Sequence, residues 1–313
     1  MAAASLSFHA SAAPDFPTQP IRLIVPFAPG GTTDIVARAI SQRTGEALGK
    51  PLVIDNKGGG GGTIGAAEAA RAKPDGYTLG VATVSTTATN PAINPKLPYN
   101  PLTDITPIIN IAATPNVLAV NPKFPGQNFQ TFVSEVQRSP GKYAYGTAGT
   151  GSIGHLLMEI LSSQAKLSLI HIAYRGSGPA LNDTIAGQVP MVFDNLPSAL
   201  PFIRSGQLVP IAVASPERVA QLPNVPTFRE LGMNDVNRTA YYGISAPKGT
   251  PVDIVDRINK AAKQALAAPE VQKQITDTGS RIIGGSPEEF AREIAVENAV
   301  YKRIAAERKI TAN

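Results

Sequence analysis

Residues 145–161 read YGTAGTGSIGHLLMEIL: a strand end, a glycine-rich turn and the first turns of a helix. Gly149, Gly151 and Gly154 fit G-x-G-x-x-G, the spacing that seats a dinucleotide pyrophosphate on a helix N-terminus. Glycine amides at the positive end of a helix hold any small anion, a carboxylate included, so the rest of the chain has to decide which. A dinucleotide site also wants an acid about 20 residues further on for the ribose. The next strand ends Ala173-Tyr174-Arg175, with a cation in that place, and this leaves an NADP 2′-phosphate as the one nucleotide reading still open. Gly60-x-Gly62-x-x-Gly65 repeats the pattern, inside a run of five glycines at 58–62. A chain with 28 glycines produces such matches cheaply, and a flexible surface turn is expected there.

Outward from this element, strand and helix signals alternate from Ile21 onward, which predicts an α/β architecture with mostly parallel sheets. Strands are expected at 21–25, 52–54, 78–83, 117–120, 143–146, 167–173, 189–193, 208–214 and 241–247. Helices are expected near 129–138, 152–165, 178–186 and 197–204. Thr32 or Thr33 is placed to cap an earlier helix, Thr250-Pro251 opens a later one, and Ser286-Pro287-Glu288-Glu289 spells a capping box. The last helices have apolar faces that need cover, and the first βαβ unit alone makes too small a core. The C-terminal block is therefore expected to pack back on the first. This gives two lobes joined by a double hinge: residues 14–121 plus 241–313, and an inserted 122–240. The ligand belongs in the cleft, at the carboxyl ends of the strands.

Composition narrows the function. Basic residues number 28 against 23 acidic, without any Lys/Arg run; tryptophan is absent and aromatics make up 6%, so no nucleic-acid partner is expected. The chain has no cysteine, which removes disulfides, thiolate catalysis and cysteine zinc sites. The first residues, MAAASLSFHASAAPDF, lead through small apolar side chains to Ala10-Ser11-Ala12, an A-x-A cleavage pattern. Residues 1–13 are expected to be the remainder of a secretory signal, and no stretch approaches the ~20 apolar residues of a membrane helix.

Enzymatic readings find little support. Thr150-Gly151-Ser152-Ile153-Gly154 falls one residue short of the G-x-S-x-G elbow of hydrolases. His155 lies one helical turn after Ser152 and His171 sits in a strand, which is no triad spacing. No carboxylate and histidine pair has metal-ligand spacing, so neither a metal nor a cofactor is expected. A secreted hydrolase or an NADP-dependent oxidoreductase is the alternative class. What remains is a set of small-residue loops closing the strands at 27–34, 82–89, 146–155, 173–180 and 193–199, several of them running into helices. Their N–H and hydroxyl donors can hold an anion without a buried cation.

The stretches PIRLIVPFAPGGTTDIVAR, GTIGA, KPDGYTL, YGTAGTGSIGH, AYRGSGPALNDTIAGQV and PTFRELG, in this order, closely resemble the Bug receptors, the periplasmic solute-binding proteins of tripartite tricarboxylate transporters. The resemblance implies a type II periplasmic binding-protein fold closing on a small carboxylate, with transporter membrane components as partners, in the periplasm, as a non-enzymatic monomer. It places the first-lobe contacts at Phe27, Ala28, Gly31 and Asp34, with Ser85 and Thr86 in the next loop. Thr147, Gly151, Ser152 and His155 match the second-lobe cradle, and Asp194 the acid of the F-D motif. The five-glycine run departs from the family pattern. Glutamate is the first ligand expected.

Overall fold

The computed structural model describes residues 16–311, so the expected signal remnant lies outside the described residues. The first lobe opens with β1 (Ile21–Val25), α1 (Thr32–Leu48), β2 (Leu52–Asn56), α2 (Thr63–Ala70) and β3 (Thr78–Thr83). A π-helical turn, Ser85–Thr89, then leads into the short α3 (Asn90–Ile93), followed by β4 (Ile105–Thr114). The second lobe holds β5 (Asn116–Val120), α4 (Phe129–Arg138), β6 (Ala144–Thr147), α5 (Ile153–Ala165) and β7 (Ile170–Ala173). It continues through α6 (Ser177–Ile185), β8 (Met191–Asn195), α7 (Leu196–Arg204) and β9 (Val209–Ala214). The chain returns through β10 (Ala240–Pro247), α8 (Val252–Ala267), α9 (Pro269–Thr276), β11 (Arg281–Gly284) and α10 (Pro287–Arg308).

One sheet has the order β11-β4-β10-β3-β1-β2 and the other β7-β6-β8-β5-β9. Between the strands of the two sheets, β1 pairs parallel with β2 and β3, and β6 with β7 and β8; the other ladders are antiparallel. Both sheets are thus mixed rather than mostly parallel. The reason is the double crossing: β10 comes back from the second lobe and slots between β3 and β4 against their direction, with Tyr242 opposite Thr83 and Ala112.

The crossings also move the lobe boundary. β5 pairs with β8 and β9, so it belongs to the second sheet and the first crossing falls at Pro115, not near residue 121. β4 itself has no counterpart among the expected strands. Its Ile108, Ile109, Ile111 and Ala112 are all buried, so the run lacks the alternation that marks a half-buried strand.

Local signals explain the helix ends. Ser286 Oγ accepts from the Glu289 N–H at 3.2 Å and the Glu289 carboxylate accepts from the Ser286 N–H at 2.7 Å, the capping box legible in the sequence. α1 differs: its cap is Gly31, without a side-chain bond, and Thr32 Oγ1 instead reaches Ser198 of the other lobe at 2.9 Å. At its far end α1 stops where Gly49 takes the left-handed conformation, φ 79°, and caps the Glu46 and Gly45 carbonyls.

Candidate functional site

The carboxyl ends of β1, β3, β6 and β8 face one another across the cleft, and the loops they feed start helices there. Four helix N-termini border a single small cavity: α1 at Gly31 and Thr33, α5 at Ser152 and Gly154, α6 at Ser177 and α7 at Asn195. Each turns N–H groups and the positive end of its dipole inward. Phe27, Ile153, Phe193 and Tyr242 supply apolar surface, and Ser85 adds a hydroxyl. No lysine or arginine is among the residues lining the cavity.

The lobes touch at several points around it. The Ala28 N–H donates to the Arg175 carbonyl at 3.1 Å, the Ile153 N–H to Ser85 Oγ at 3.0 Å, and Thr89 Oγ1 to the Gly151 carbonyl at 2.7 Å. The enclosed space is about 10 Å³, the lower limit for one ordered water. A dicarboxylate or amino acid therefore enters only with the lobes further apart.

Asp194 is the one ionisable acid at the wall. Its two oxygens accept from Ser177 Oγ at 2.5 Å and Ser198 Oγ at 2.6 Å. Burial pushes its pKa above the ordinary carboxylate range, against the opposing pull of those hydroxyls and the Asn195 N–H. Ser198 Oγ, spent as donor on Asp194, accepts from Thr32 Oγ1, so a chain of hydroxyl bonds runs from α1 through α7 to β8 across the cleft.

Phe27, Gly31, Ser85, Ser152 and Asp194, of the residues singled out in the sequence, lie on the cavity wall. Ala28 meets the other lobe through its backbone. The remaining five stand behind. Asp34 accepts from the Gly30 N–H at 3.1 Å, Arg38 Nε at 3.0 Å and Asn56 Nδ2 at 3.0 Å, bracing the loop from outside. Burial opposes its charge, yet these donors hold its pKa below the ordinary value. Thr86 Oγ1 accepts from the Thr83 N–H at 3.1 Å and shapes the π-helical turn. Thr147 Oγ1 accepts from the Gly149 N–H at 3.2 Å and bonds His171 Nε2 at 2.7 Å. Gly151 donates its N–H to His155 Nδ1 at 3.2 Å, so that amide is spent on the loop itself.

His155 and His171 stack with ring centroids 3.9 Å apart, and burial pushes both down to about 4. His155 is thus neutral, with Nδ1 as acceptor and the proton on Nε2. Ser152 Oγ accepts from the His155 backbone N–H, not from its ring, so no nucleophile and base are paired here. Among the described residues no group of His, Cys, Asp and Glu is arranged to hold a metal.

Wall residues beyond the eleven singled out as ligand contacts are Thr33, Ala148, Ile153, Gly154, Ser177, Phe193, Asn195 and Tyr242, all but Tyr242 within the strand-closing loops. Ser177 and Asn195 each open a helix directly after a strand, a signal the loops at 173–180 and 193–199 already carried. Tyr242 follows Tyr241 in one strand and period-2 alternation sends them to opposite faces, but only the packed sheet says which face is the cleft. The five-glycine run corrects an expectation. It is no loose surface turn: buried Gly61, at φ 61°, lies so close to the other lobe that a Cβ would come 2.1 Å from the Thr150 carbonyl oxygen.

Two α/β lobes, a double crossing and helix N-termini converging on the cleft define a hinged solute-binding protein. The tripartite tricarboxylate transporter family receptor model matches residues 36–310, and the chain belongs to that family of periplasmic solute-binding receptors, which are not enzymes. It is 34% identical to the protein BugT of Bordetella pertussis over 283 residues, 90% of this chain and 87% of the relative. A structure described as a periplasmic transporter is 48% identical, with a TM-score of 0.93 over 95% of this chain and 100% of its own. MatC from Rhodopseudomonas palustris with bound malate is 34% identical, TM-score 0.90, over 92% and 99%. An R. palustris protein with adipate has the same identity and TM-score over 95% and 99%. Among the described residues no helix is long and apolar enough to cross a membrane.

Proposed function

We propose that this receptor captures a small carboxylate, an organic diacid or a dicarboxylic amino acid such as glutamate, between its lobes and delivers it to the membrane components of a tripartite transporter. The observation that carries the reading is the convergence of four helix N-termini and their hydroxyls on a cavity without a lining cation. Such fixed partial charges favour an anion and leave the rest of its skeleton free to vary. Malate and adipate in the related structures agree with a diacid. The expected glutamate adds an ammonium group, for which Asp194 is the acid available at the wall.

Native mass spectrometry of the purified protein, followed by calorimetry against malate, adipate, glutamate, aspartate and NADP, tests the reading. Binding of at least one carboxylate with a dissociation constant in the micromolar range or below, and none of NADP, is expected. Affinity for NADP with no carboxylate bound would overturn it in favour of the oxidoreductase alternative.

A further inference from the structure

The cavity that is to hold an anion has an acid in its own wall. Asp194 is 3% exposed, its two oxygens reach Ser177 and Ser198 on two different helices, and no lysine or arginine lines the space. Hydroxyls and helix dipoles supply only partial charges. A dianion enclosed beside an ionised Asp194 sets like charges against each other where water no longer separates them, and this drives a proton onto one of the acids.

The bonds around Asp194 have a place for that proton. With the acid ionised, Ser198 Oγ donates to Asp194 Oδ2 at 2.6 Å and accepts from Thr32 Oγ1 at 2.9 Å. The Asn195 carbonyl lies 3.0 Å from the same hydroxyl. A proton from solvent on Oδ2 reverses the first bond: Asp194 donates to Ser198 Oγ, whose own hydrogen turns to the Asn195 carbonyl. Ser177 still donates to Oδ1 and Thr32 still donates across the cleft, so the one donor and two acceptor positions of the Ser198 hydroxyl are all filled. Both charge states therefore keep the bridge between the lobes.

We propose that the receptor takes up an organic diacid together with one proton from solvent, which Asp194 carries while the lobes are closed. A dicarboxylic amino acid needs no such proton. Its ammonium group meets the ionised Asp194, and the closed cleft then has the same net charge as a dianion beside a neutral Asp194. The inference rests on the carboxylate-receptor reading and adds to it the partner that accompanies each class of ligand.

The groups facing Asp194 offer the proton no competing site. α1 brings Thr32 and Thr33, α5 Ser152, α6 Ser177, α7 Asn195 and Ser198, and β10 Tyr242. Only Tyr242 among these titrates, and burial pushes its hydroxyl well above the ordinary range. Asp34, behind α1, is paired with Arg38, and His155, behind the cradle, is neutral.

Calorimetry of the whole chain with malate, adipate, glutamate and aspartate at pH 7.5, in HEPES and in Tris, counts the protons, because the two buffers release them with different heats. The ligands' own carboxylates, ordinarily near ~4, are ionised there. Whichever diacid binds should bring about one proton, and glutamate or aspartate about none. Diacid affinity should fall by about tenfold per pH unit between about pH 6.5 and 8.5, because the free receptor's Asp194 is ionised over this range while the closed complex holds it protonated. The two described histidines, titrating near 4, are silent there. Asp194→Asn imitates the neutral acid and keeps a donor toward Ser198. It should bind diacids without proton uptake or pH slope, and bind the amino acids at least tenfold more weakly. A diacid that binds the parent without proton uptake overturns the proposal, whether or not the variant folds. Uptake that survives Asp194→Asn does the same. Binding of the amino acids alone overturns it and leaves the carboxylate reading standing, whereas binding of none of the four removes that reading itself.

Discussion

The two glycine-rich elements, 58–62 and 149–154, fit one sequence pattern and do different work. In the second, Gly149 and Gly151 take φ of 126° and 81°, and Gly154 lets α5 lie close on β8, where a Cβ would come 2.1 Å from the Phe193 carbonyl oxygen. The loop shapes a helix N-terminus. In the first, four consecutive glycines, 59–62, have positive φ, and the segment serves as a flat seat for that loop: Gly61 meets Thr150, and Gly149 in turn meets Gly61. The lobes close backbone to backbone here, which a side chain at Gly61 or Gly149 would not permit. Pattern matching ranks the two alike; contact across the cleft separates them.

Substitution at each element measures that difference. Gly61→Val should reduce carboxylate affinity most, about a hundredfold or ~2.7 kcal/mol, because its Cβ blocks the seat and its φ strains a β-branched residue. Far-UV circular dichroism should be unchanged, since the contact is between lobes and not within one. Gly151→Val should cost about tenfold: its Cβ meets the Asn90 side chain at 2.7 Å, and an amide end gives way more readily than a carbonyl backbone. Equal losses at the two positions would erase the distinction between seat and cradle.

Asp34→Ala tests the bracing behind the first-lobe loop. With three donors left without an acceptor at a largely buried carboxylate, melting should show a loss of about 1–3 kcal/mol, and calorimetry a change in affinity below tenfold. An affinity loss exceeding the stability loss would place Asp34 in the pocket wall after all.

The stacked histidines behind the cradle give a pH signature. The unfolded chain takes up their protons near 6.5 and the folded chain only near 4, so their contribution to stability is complete above about pH 6.5 and is lost as pH falls toward 4. His171→Phe keeps an aromatic ring in the stack and removes one of the two protonation sites. Its melting temperature should fall less steeply than the parent's between pH 6.5 and 4, and parallel slopes would refute the assignment. The smallest effect is expected from Arg175→Gln. The side chain is exposed while its carbonyl makes the contact with Ala28, so affinity should change less than tenfold. A larger loss would replace the backbone cradle with an arginine clamp.

The elements were legible in the sequence wherever a local signal was strong. β1 and β3 fall on the expected residues, as does α4, and the capping box of α10 is where its four residues put it. Five of the eleven residues singled out reach the cavity wall, because strand-to-helix loops bring their small residues to the carboxyl edge of a sheet. β4 was not legible: burial on both faces erases its period, and β11 is only four residues long. Nor was the depth of each loop residue. Asp34, Thr147 and His155 have the chemistry of ligand contacts, but their hydrogen bonds are spent on backbone and on other side chains. Sequence alone determined the α/β grammar, the absence of thiol chemistry and the supply of N–H and hydroxyl donors, all properties of residue type and near neighbours. The tertiary structure alone decided that β10 runs antiparallel into the first sheet, that Tyr242 and not Tyr241 faces the cleft, and that Gly61 is a seat. Each of these depends on residues far apart in the chain meeting at close range, and local preference carries no information about such meetings.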